Sequence, residues 1–270
     1  MLEALEKGEF DPIAYYFLAN YYYYGRGVEE DEDISMEYNA IGREYQQPVC
    51  IYNLGVAYET KGDLDKAFAL YDEAIELGEP GGYARYIDRE LRNDQALAES
   101  YTDKVIESND PFAINHAGEV HLAHNKGSKR SFELFSLVAD IGYANGMVNV
   151  ANAYDKGYGT DKDPQKAFEY YTKAAETFEY ADYYIHVGYC YEYGVGVEKD
   201  IDKAIEYYKL STKDGNGDGY YKIGYLYETG KTVDKDYEKA LEYYELGCNA
   251  KIPSKDALRR YNYLLNYTKK

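Results

Sequence analysis

The residues best spaced for metal chemistry are His121 and His124, which are three positions apart and share one face of a predicted helix. Glu119 lies close to them. Zinc needs a third and a fourth ligand, however, and His116 falls outside that face. A packed histidine is therefore the favoured interpretation of His121, and we expect no bound metal.

Patterns for nucleophilic and nucleotide chemistry are absent from the sequence. It contains no Gly-x-Ser-x-Gly, no Ser-x-x-Lys and no complete phosphate-binding Gly-x-x-x-x-Gly-Lys sequence. Acidic segments such as residues 29–33 lack the twelve-residue calcium loop with its central glycine, so helix capping explains them better. We therefore expect a non-enzymatic protein without a cofactor. A hydrolase whose nucleophile and base assemble across the fold is an alternative.

The three cysteines, Cys50, Cys190 and Cys248, are odd in number and far apart, so they describe no disulfide framework. Each falls within or beside a helical core position, where a thiol serves as packing. The N-terminus lacks a basic segment followed by an apolar stretch, so no secretory signal is visible. Together these features predict a cytoplasmic protein.

The charge balance narrows the class of partner. Among 270 residues, 49 are acidic and 30 are basic, which gives a formal net charge of −19. Nucleic-acid binding requires the opposite sign, and an anionic membrane surface would repel this chain. No apolar run approaches the roughly 20 residues of a membrane helix. The 37 tyrosines provide an amphipathic core, since each ring buries well and each hydroxyl needs a partner.

The elements that must position any site are repeated along the chain. Gly157, Gly194 and Gly230 are separated by 37 and 36 residues. Three further columns keep this interval: the aspartates Asp163, Asp200 and Asp236; the alanines Ala167, Ala204 and Ala240; and the tyrosine pairs beginning at Tyr170, Tyr207 and Tyr243. Four columns in one register predict a repeat protein.

Each repeat is predicted to contain two helices. Apolar spacings of three and four mark the helices, glycines end the first helix, and an aspartate caps the second. Seven repeats follow, with residues 11–47, 48–80, 81–110, 111–142, 143–179, 180–216 and 217–252, and a C-terminal capping helix at 255–267. The third repeat is degenerate, and Met1–Gly8 is predicted as a further capping helix. The sequence thus favours one all-α domain spanning 1–270.

The segment from Ala153 to Ala175, AYDKGYGTDKDPQKAFEYYTKAA, resembles a Sel-one-like repeat, a relative of the tetratricopeptide repeat with a longer, glycine-marked loop. Residues 191–212 and 227–247 are similar, and the repeats at 48–80 and 81–110 are closer to plain tetratricopeptide units. The resemblance implies a right-handed α/α superhelical solenoid that scaffolds complexes by binding other proteins. It implies no reaction.

The first helices of a solenoid usually line its concave face, which is the usual ligand surface. The residues expected to point away from the packed stripe there are mainly tyrosines, asparagines and carboxylates. They are Tyr16, Asn20, Tyr23, Tyr52, Glu59, Asn115, Glu119, Asn152, Asp155, Ile185, Tyr189, Glu192, Tyr193, Tyr221, Tyr225 and Glu228.

This surface predicts a groove for a basic peptide or protein segment, because tyrosine is enriched in interfaces and the chain is acidic. In another interpretation the tyrosines pack between helices and the acids merely face water. A third interpretation is an acidic regulatory protein that mimics nucleic acid, although its carboxylates are spread over loops and helices. The sequence does not determine the oligomeric state.

Overall fold

The computed structural model describes residues 11–178, 181–213, 215–231 and 233–268. The capping helix expected at Met1–Gly8 lies outside them. The described helices are α1 Ala14–Tyr24, α2 Glu32–Glu44, α3 Pro48–Thr60, α4 Leu64–Glu76, α5 Gly81–Glu90, α6 Gln95–Glu107, α7 Pro111–His124, α8 Lys129–Asp140, α9 Ala144–Lys156, α10 Pro164–Phe178, α11 Ala181–Tyr193, α12 Ile201–Leu210, α13 Gly217–Thr229, α14 Tyr237–Cys248 and α15 Lys255–Thr268.

Within each unit, consecutive helices pack as pairs, so the all-α repeat fold is confirmed. The described residues form no β-strand. The predicted third repeat, although degenerate in sequence, also forms a packed pair, α5 and α6. None of the described helices combines the length and the apolar character needed to cross a membrane.

The chain divides between His124 and Asn125 into two compact units. The first unit contains α1–α7 and the second contains α8–α15. This division runs through the predicted fourth repeat, residues 111–142, whose two helices belong to different units. The single continuous domain stays a prediction.

Capping aspartates fix where the second helix of a repeat begins. The side chains of Asp163, Asp200 and Asp236 accept hydrogen bonds of 3.1, 3.0 and 3.0 Å from the backbone N–H three residues later. Each bond satisfies a donor that the first helical turn leaves unpaired. These caps, which the sequence predicted, hold the second helices in one register.

A buried tyrosine forms the centre of several helix pairs. Tyr71, Tyr171, Tyr208 and Tyr244 are at most 1% exposed, and each lies eight residues after a capping aspartate. In three of these pairs the ring packs on a glycine of the preceding helix. A Cβ built at Gly188, for example, would lie 2.5 Å from Cε1 of Tyr208. The glycines therefore let the two helices approach closely.

Candidate partner-binding surface

The sixteen residues predicted to face a partner differ widely in exposure. Tyr23, Glu119 and Tyr193 are exposed. Nine are half-buried: Tyr16, Asn20, Glu59, Asn152, Asp155, Ile185, Tyr189, Tyr221 and Tyr225. Tyr52, Asn115, Glu192 and Glu228 are buried, at 5–8% exposure. The expected outward orientation is wrong for these four. Their contribution to partner binding stays a prediction.

Three carboxylates of the predicted set accept hydrogen bonds from the central tyrosines. The Tyr71 hydroxyl donates to Glu59 at 2.6 Å, Tyr208 donates to Glu192 at 2.6 Å, and Tyr244 donates to Glu228 at 2.5 Å. Burial, followed by the carboxylate contact, raises the pKa of each of the three phenols. These acids therefore act first as structural acceptors.

In the predicted repeat at residues 143–179, the central tyrosine donates to an amide and not to a carboxylate. The Tyr171 hydroxyl donates to Asn152 Oδ1 at 2.6 Å. Here Ala151 replaces the glycine on which the other tyrosine rings pack, and Asp155 instead forms an ion pair of 2.7 Å with Lys156. Asn115, in the first unit, donates to Glu119 at 2.8 Å. The amides of the predicted set thus also have internal partners.

Four partly exposed tyrosines of the second unit, which we call the tyrosine patch, form two ring pairs: Tyr189 and Tyr193 on α11, and Tyr221 and Tyr225 on α13. The Tyr189 and Tyr193 ring centroids are 4.9 Å apart, and those of Tyr221 and Tyr225 are 6.1 Å apart. Burial, with a hydrogen bond to Glu192 and the nearby Tyr225 and Tyr189, raises the pKa of Tyr193 to about 12. The Tyr193 phenol is therefore a neutral hydrogen-bonding group at physiological pH.

Basic side chains border the tyrosine patch. Lys156 Nζ donates to the Tyr189 hydroxyl at 2.9 Å, and Lys222 Nζ lies 5.7 Å from the Tyr221 ring centroid. The Arg260 guanidinium lies 5.9 Å from the Tyr225 ring centroid and forms an ion pair with Glu228. Sequence reasoning missed Lys222 and Arg260. Arg260 comes from the capping helix, so no spacing within a repeat could have indicated it.

Three of the seven predicted residues of the first unit, Asn20, Tyr23 and Tyr52, line a cavity of about 240 Å³. Asn20 and Tyr23 of α1 line one side and Tyr52 of α3 lines another, together with residues of α2, α5 and α7. The exposed ring of Tyr23 lies at its rim, so the cavity is open to a ligand. Tyr16 is absent from its lining and instead packs edge-on against Phe17.

Two of the cysteines and one of the histidines considered for chemistry are buried. Burial raises the pKa of the Cys50 thiol to about 11 and that of Cys190 to about 12, so both remain protonated. His121 is buried, and its Nε2 is 2.9 Å from the Thr102 hydroxyl. Within the part of the chain that the structure describes, no three His, Cys, Asp or Glu side chains gather as a metal site.

Family comparisons agree with this architecture. The Sel1 repeat profile matches residues 12–38, 144–176, 181–216 and 217–251, and a tetratricopeptide repeat profile matches 50–77. The protein contains Sel1 repeats. Sel1 and tetratricopeptide repeat proteins are generally scaffolds for protein–protein interactions, and the fold is typically non-catalytic. No curated protein sequence matches the chain.

Solved Sel1 repeat structures are similar to this one. A Sel1 repeat protein from Oxalobacter formigenes is 21% identical with a TM-score of 0.54, over 91% of this chain and 94% of its own. A protective antigen of uropathogenic Escherichia coli is 25% identical with a TM-score of 0.49, and 90% of this chain spans 54% of its length. Human IFIT1, in a dimer with PPP-AAAA, is 12% identical with a TM-score of 0.57, over 87% of this chain and 59% of its own. The likenesses with TM-scores of 0.54 and 0.57 support the fold.

Proposed function

We propose that this Sel1-repeat protein is a non-enzymatic scaffold that binds a basic peptide or protein segment through the faces of its first helices. The tyrosine patch of the second unit provides the main contact. The observation that supports this most directly is the presence of two partly exposed tyrosine ring pairs, with centroids 4.9 Å apart on α11 and 6.1 Å apart on α13, and with Tyr225 near enough to Tyr193 to raise its pKa.

The patch has the physical properties of a binding hot spot. Tyrosine supplies a rigid apolar ring and a polar tip, and tyrosines and arginines carry a large share of interface energy. Neighbouring contacts already restrain the rings: Lys156 binds the Tyr189 hydroxyl and Arg260 lies over Tyr225. Because the rings are restrained before binding, less conformational entropy is lost on association.

Charge would act mainly at long range. Asp155 and Glu228 of the predicted surface are already paired with Lys156 and Arg260, so neither is a vacant partner for an incoming cation. The net charge of −19 still attracts a basic segment and raises its association rate. We therefore expect the association rate to fall with increasing salt, and the dissociation rate, which the tyrosine contacts control, to change little.

The test compares three immobilised baits in lysate of the source organism, at low and at high salt. The baits are the unmodified protein, the variant Tyr189→Ala/Tyr193→Ala/Tyr225→Ala, and a control variant in which the exposed tyrosines Tyr21, Tyr45 and Tyr267, all outside the patch, are replaced by alanine. We expect one basic protein to be retained by the unmodified and control baits and lost from the patch variant.

Affinity for that protein should fall at least about tenfold in the patch variant, because a hot-spot residue contributes about 2 kcal/mol or more. Retention on all three baits would refute the patch as the contact. A retained partner that is acidic, or whose association rate is independent of salt, would refute its basic character.

A further inference from the structure

One side of α1 is uncovered, although the same side of other first helices is packed. In the second unit, α9, α11 and α13 each lie between two second helices, one from the preceding repeat and one from their own. Among the described helices, α1 packs on its own second helix, α2, and on the following α3, and no second helix packs on its other side. Helix α1 therefore presents a surface that elsewhere forms the contact between repeats.

The exposure of Tyr21 shows this difference directly. Tyr21 lies four residues before the glycine that ends α1, and it is 42% exposed. The residues at the same distance before the glycines that end α9, α11 and α13 are at most 2% exposed: Ala153, Cys190 and Leu226. Leu226 shares an apolar cluster with Ala204 and Tyr208 of α12, the preceding second helix. A second helix thus covers this position elsewhere and does not cover Tyr21.

Two further rings extend the uncovered surface. Phe17 lies four residues before Tyr21 and Tyr24 lies three residues after it, so the three side chains share one stripe of α1, which we call the open face. Phe17 is 49% exposed and Tyr24 is 58% exposed. A surface that faces water alone usually carries polar side chains, as capping repeats do, whereas contiguous exposed apolar groups mark interaction sites.

The loop after α1 keeps the shape that receives a preceding helix in later repeats. Gly27 and its equivalents, Gly159 and Gly196, have positive φ angles of 78°, 69° and 68°. A Cβ built at Gly159 would collide with the carbonyl oxygen of Ser128, the N-cap of α8, and one at Gly196 with that of Pro164, the first residue of α10. At Gly27, no described residue other than its chain neighbours comes within 4 Å of such an atom. The helix start that packs on the later loops has no counterpart here.

The later repeats also show which side chain a helix on the open face should carry. Phe132 of α8 packs edge-on against Tyr154, with centroids 5.3 Å apart, and Phe168 of α10 packs likewise against Tyr191, at 5.6 Å. The equivalent tyrosine of α1 is Tyr22. Its ring stacks on a tyrosine of α2 and, among the described residues, meets no such phenylalanine. A docked helix would therefore place an aromatic or large apolar side chain near Tyr22.

The charge of this loop indicates a basic helix. Glu30 immediately precedes the capping aspartate, where the later loops have lysine: Lys162, Lys199 and Lys235. Glu29 and Glu30 are exposed and form no ion pair among the described residues. Even with Arg26, the loop of residues 25–31 is acidic. Negative charge beside a helix N-terminus is stabilising, and it favours basic residues in the first turn of an incoming helix.

We propose that the open face of α1 binds an amphipathic α-helix of a basic partner protein, which takes the place that the second helix of a preceding repeat holds elsewhere. The apolar stripe of that helix covers Phe17, Tyr21 and Tyr24. Its first turn lies against Gly27 and beside Glu30. This surface goes beyond the proposed scaffold, because it lies in the first unit and shares no residue with the tyrosine patch.

Binding to the full chain is measured by fluorescence anisotropy with a labelled peptide that imitates such a helix. The basic probe is the segment 163–177, which contains most of α10, carrying Gln165→Lys and Glu169→Lys at two exposed positions. One comparison peptide is the unmodified segment, and the other is the basic probe with Phe168→Ala. We expect the basic probe to bind, the unmodified segment to bind at least about threefold more weakly, and the Phe168→Ala peptide at least about tenfold more weakly.

Substitutions in the protein test the open face itself. Tyr21→Ala should weaken binding of the basic probe at least about tenfold. Leu64→Ala is the matched control, since Leu64 of α4 is an apolar side chain of similar exposure, 53%, and should leave binding unchanged. Glu30→Lys restores the residue of the later loops and should weaken binding at least about threefold, whereas the same charge change at the exposed Glu76 of α4 should alter it by less than about twofold.

The four substituted side chains are exposed, so the melting temperature of each variant should stay close to that of the unmodified protein. Absence of binding by the basic probe, equal binding of the three peptides, or unaltered binding by Tyr21→Ala would each overturn the proposal. Sedimentation of the unmodified protein as a dimer that Tyr21→Ala dissociates would also overturn it, because the occupant of the open face would then be a second copy of the chain.

The experiment with three baits separates this proposal from the scaffold. Tyr21 is one of the residues replaced in the control bait, so a partner held by the open face should be lost from that bait and retained by the patch variant. A partner held by the tyrosine patch should show the reverse. Failure of the peptide experiment would leave the patch unaffected, since none of its residues is changed there.

Discussion

The Tyr208 hydroxyl donates a 2.6 Å hydrogen bond to Glu192, and both side chains are buried, at 1% and 7% exposure. This bond ties the second helix of a repeat to the end of its first helix. Equivalent bonds join Tyr71 to Glu59 and Tyr244 to Glu228. The carboxylates of the candidate surface therefore stabilise the helix pairs and also set which rings remain available for a partner.

Tyr208→Phe should lower the free energy of unfolding of the second unit by about 1–3 kcal/mol, because it removes a buried hydrogen bond to the Glu192 carboxylate and leaves that group with the Tyr193 hydroxyl alone. Chemical denaturation measures this change. Tyr207→Phe is the matched control: Tyr207 is half-buried and stacks on Tyr191, and we expect a change within about 0.5 kcal/mol. A loss of equal size in both variants would contradict the role of the hydrogen bond.

Gly188→Ala should destabilise the second unit by about 1–3 kcal/mol, because the added Cβ would lie 2.5 Å from the Tyr208 ring in a packed interior. Thermal unfolding provides the measurement. Gly127→Ala is the control, since Gly127 is exposed and the nearest atom to a new Cβ is a side-chain oxygen 3.3 Å away. Equal melting temperatures of Gly188→Ala and the unmodified protein would show that the ring can move aside.

Arg260→Ala should destabilise the packing of α15 and so promote its local unfolding. It removes the guanidinium that binds Glu228 and leaves this carboxylate, which is 7% exposed, with the Tyr244 hydroxyl. Removing one member of a mostly buried ion pair costs about 3 kcal/mol, less where the partner is partly solvated as here. Hydrogen exchange should accelerate in α15 and stay unchanged in α1–α7.

Arg259→Ala is the matched control for this experiment. Arg259 is the adjacent residue, its side chain is 74% exposed, and it pairs with the exposed Asp256. Such a surface pair contributes about 1 kcal/mol or less. Equal acceleration of exchange in the two variants would rule out a specific role for the contact between Arg260 and Glu228.

Local patterns predicted the fold because the determinants of each helix lie within a few residues of one another. The caps at Asp163, Asp200 and Asp236 and the positive-φ glycine at the end of α9, Gly157, are set by side chains and backbone close in sequence. The helix pairs and their approximate bounds follow from them. The division between His124 and Asn125 depends on packing summed over many residues, which no local pattern contains.

The candidate site was only partly predictable. Helical spacing places Glu192 and Tyr193 near one face, but it does not show that the Tyr208 hydroxyl reaches Glu192 from the next helix and draws it into the core. Arg260 joins the surface from α15, outside the repeat register. The sequence did contain a signal that sequence reasoning missed: Asn39 and Thr102 break the column of tyrosines that lie eight residues after the capping aspartates.

The stability of the second unit should depend on pH through His186. Its ring stacks on Tyr171, with centroids 5.0 Å apart and planes within 1°, and Lys222 lies nearby. Burial, and then the Lys222 charge, lowers the pKa of His186 to about 4 from 6.5. Between these values the unfolded chain binds a proton that the folded chain does not. The folded state is therefore favoured fully above about pH 6.5 and loses this advantage as the pH falls toward 4.

The loss amounts to at most about 3 kcal/mol. His186→Phe keeps a ring against Tyr171 and removes the titrating group, so its free energy of unfolding should fall less steeply than that of the unmodified protein between pH 6.5 and 4.5. Denaturant titrations at several pH values measure both curves, and the difference cancels the contribution of the carboxylates common to both proteins. Parallel curves would mean that His186 gains its proton equally in the folded and unfolded states, and that its burial does not affect its charge.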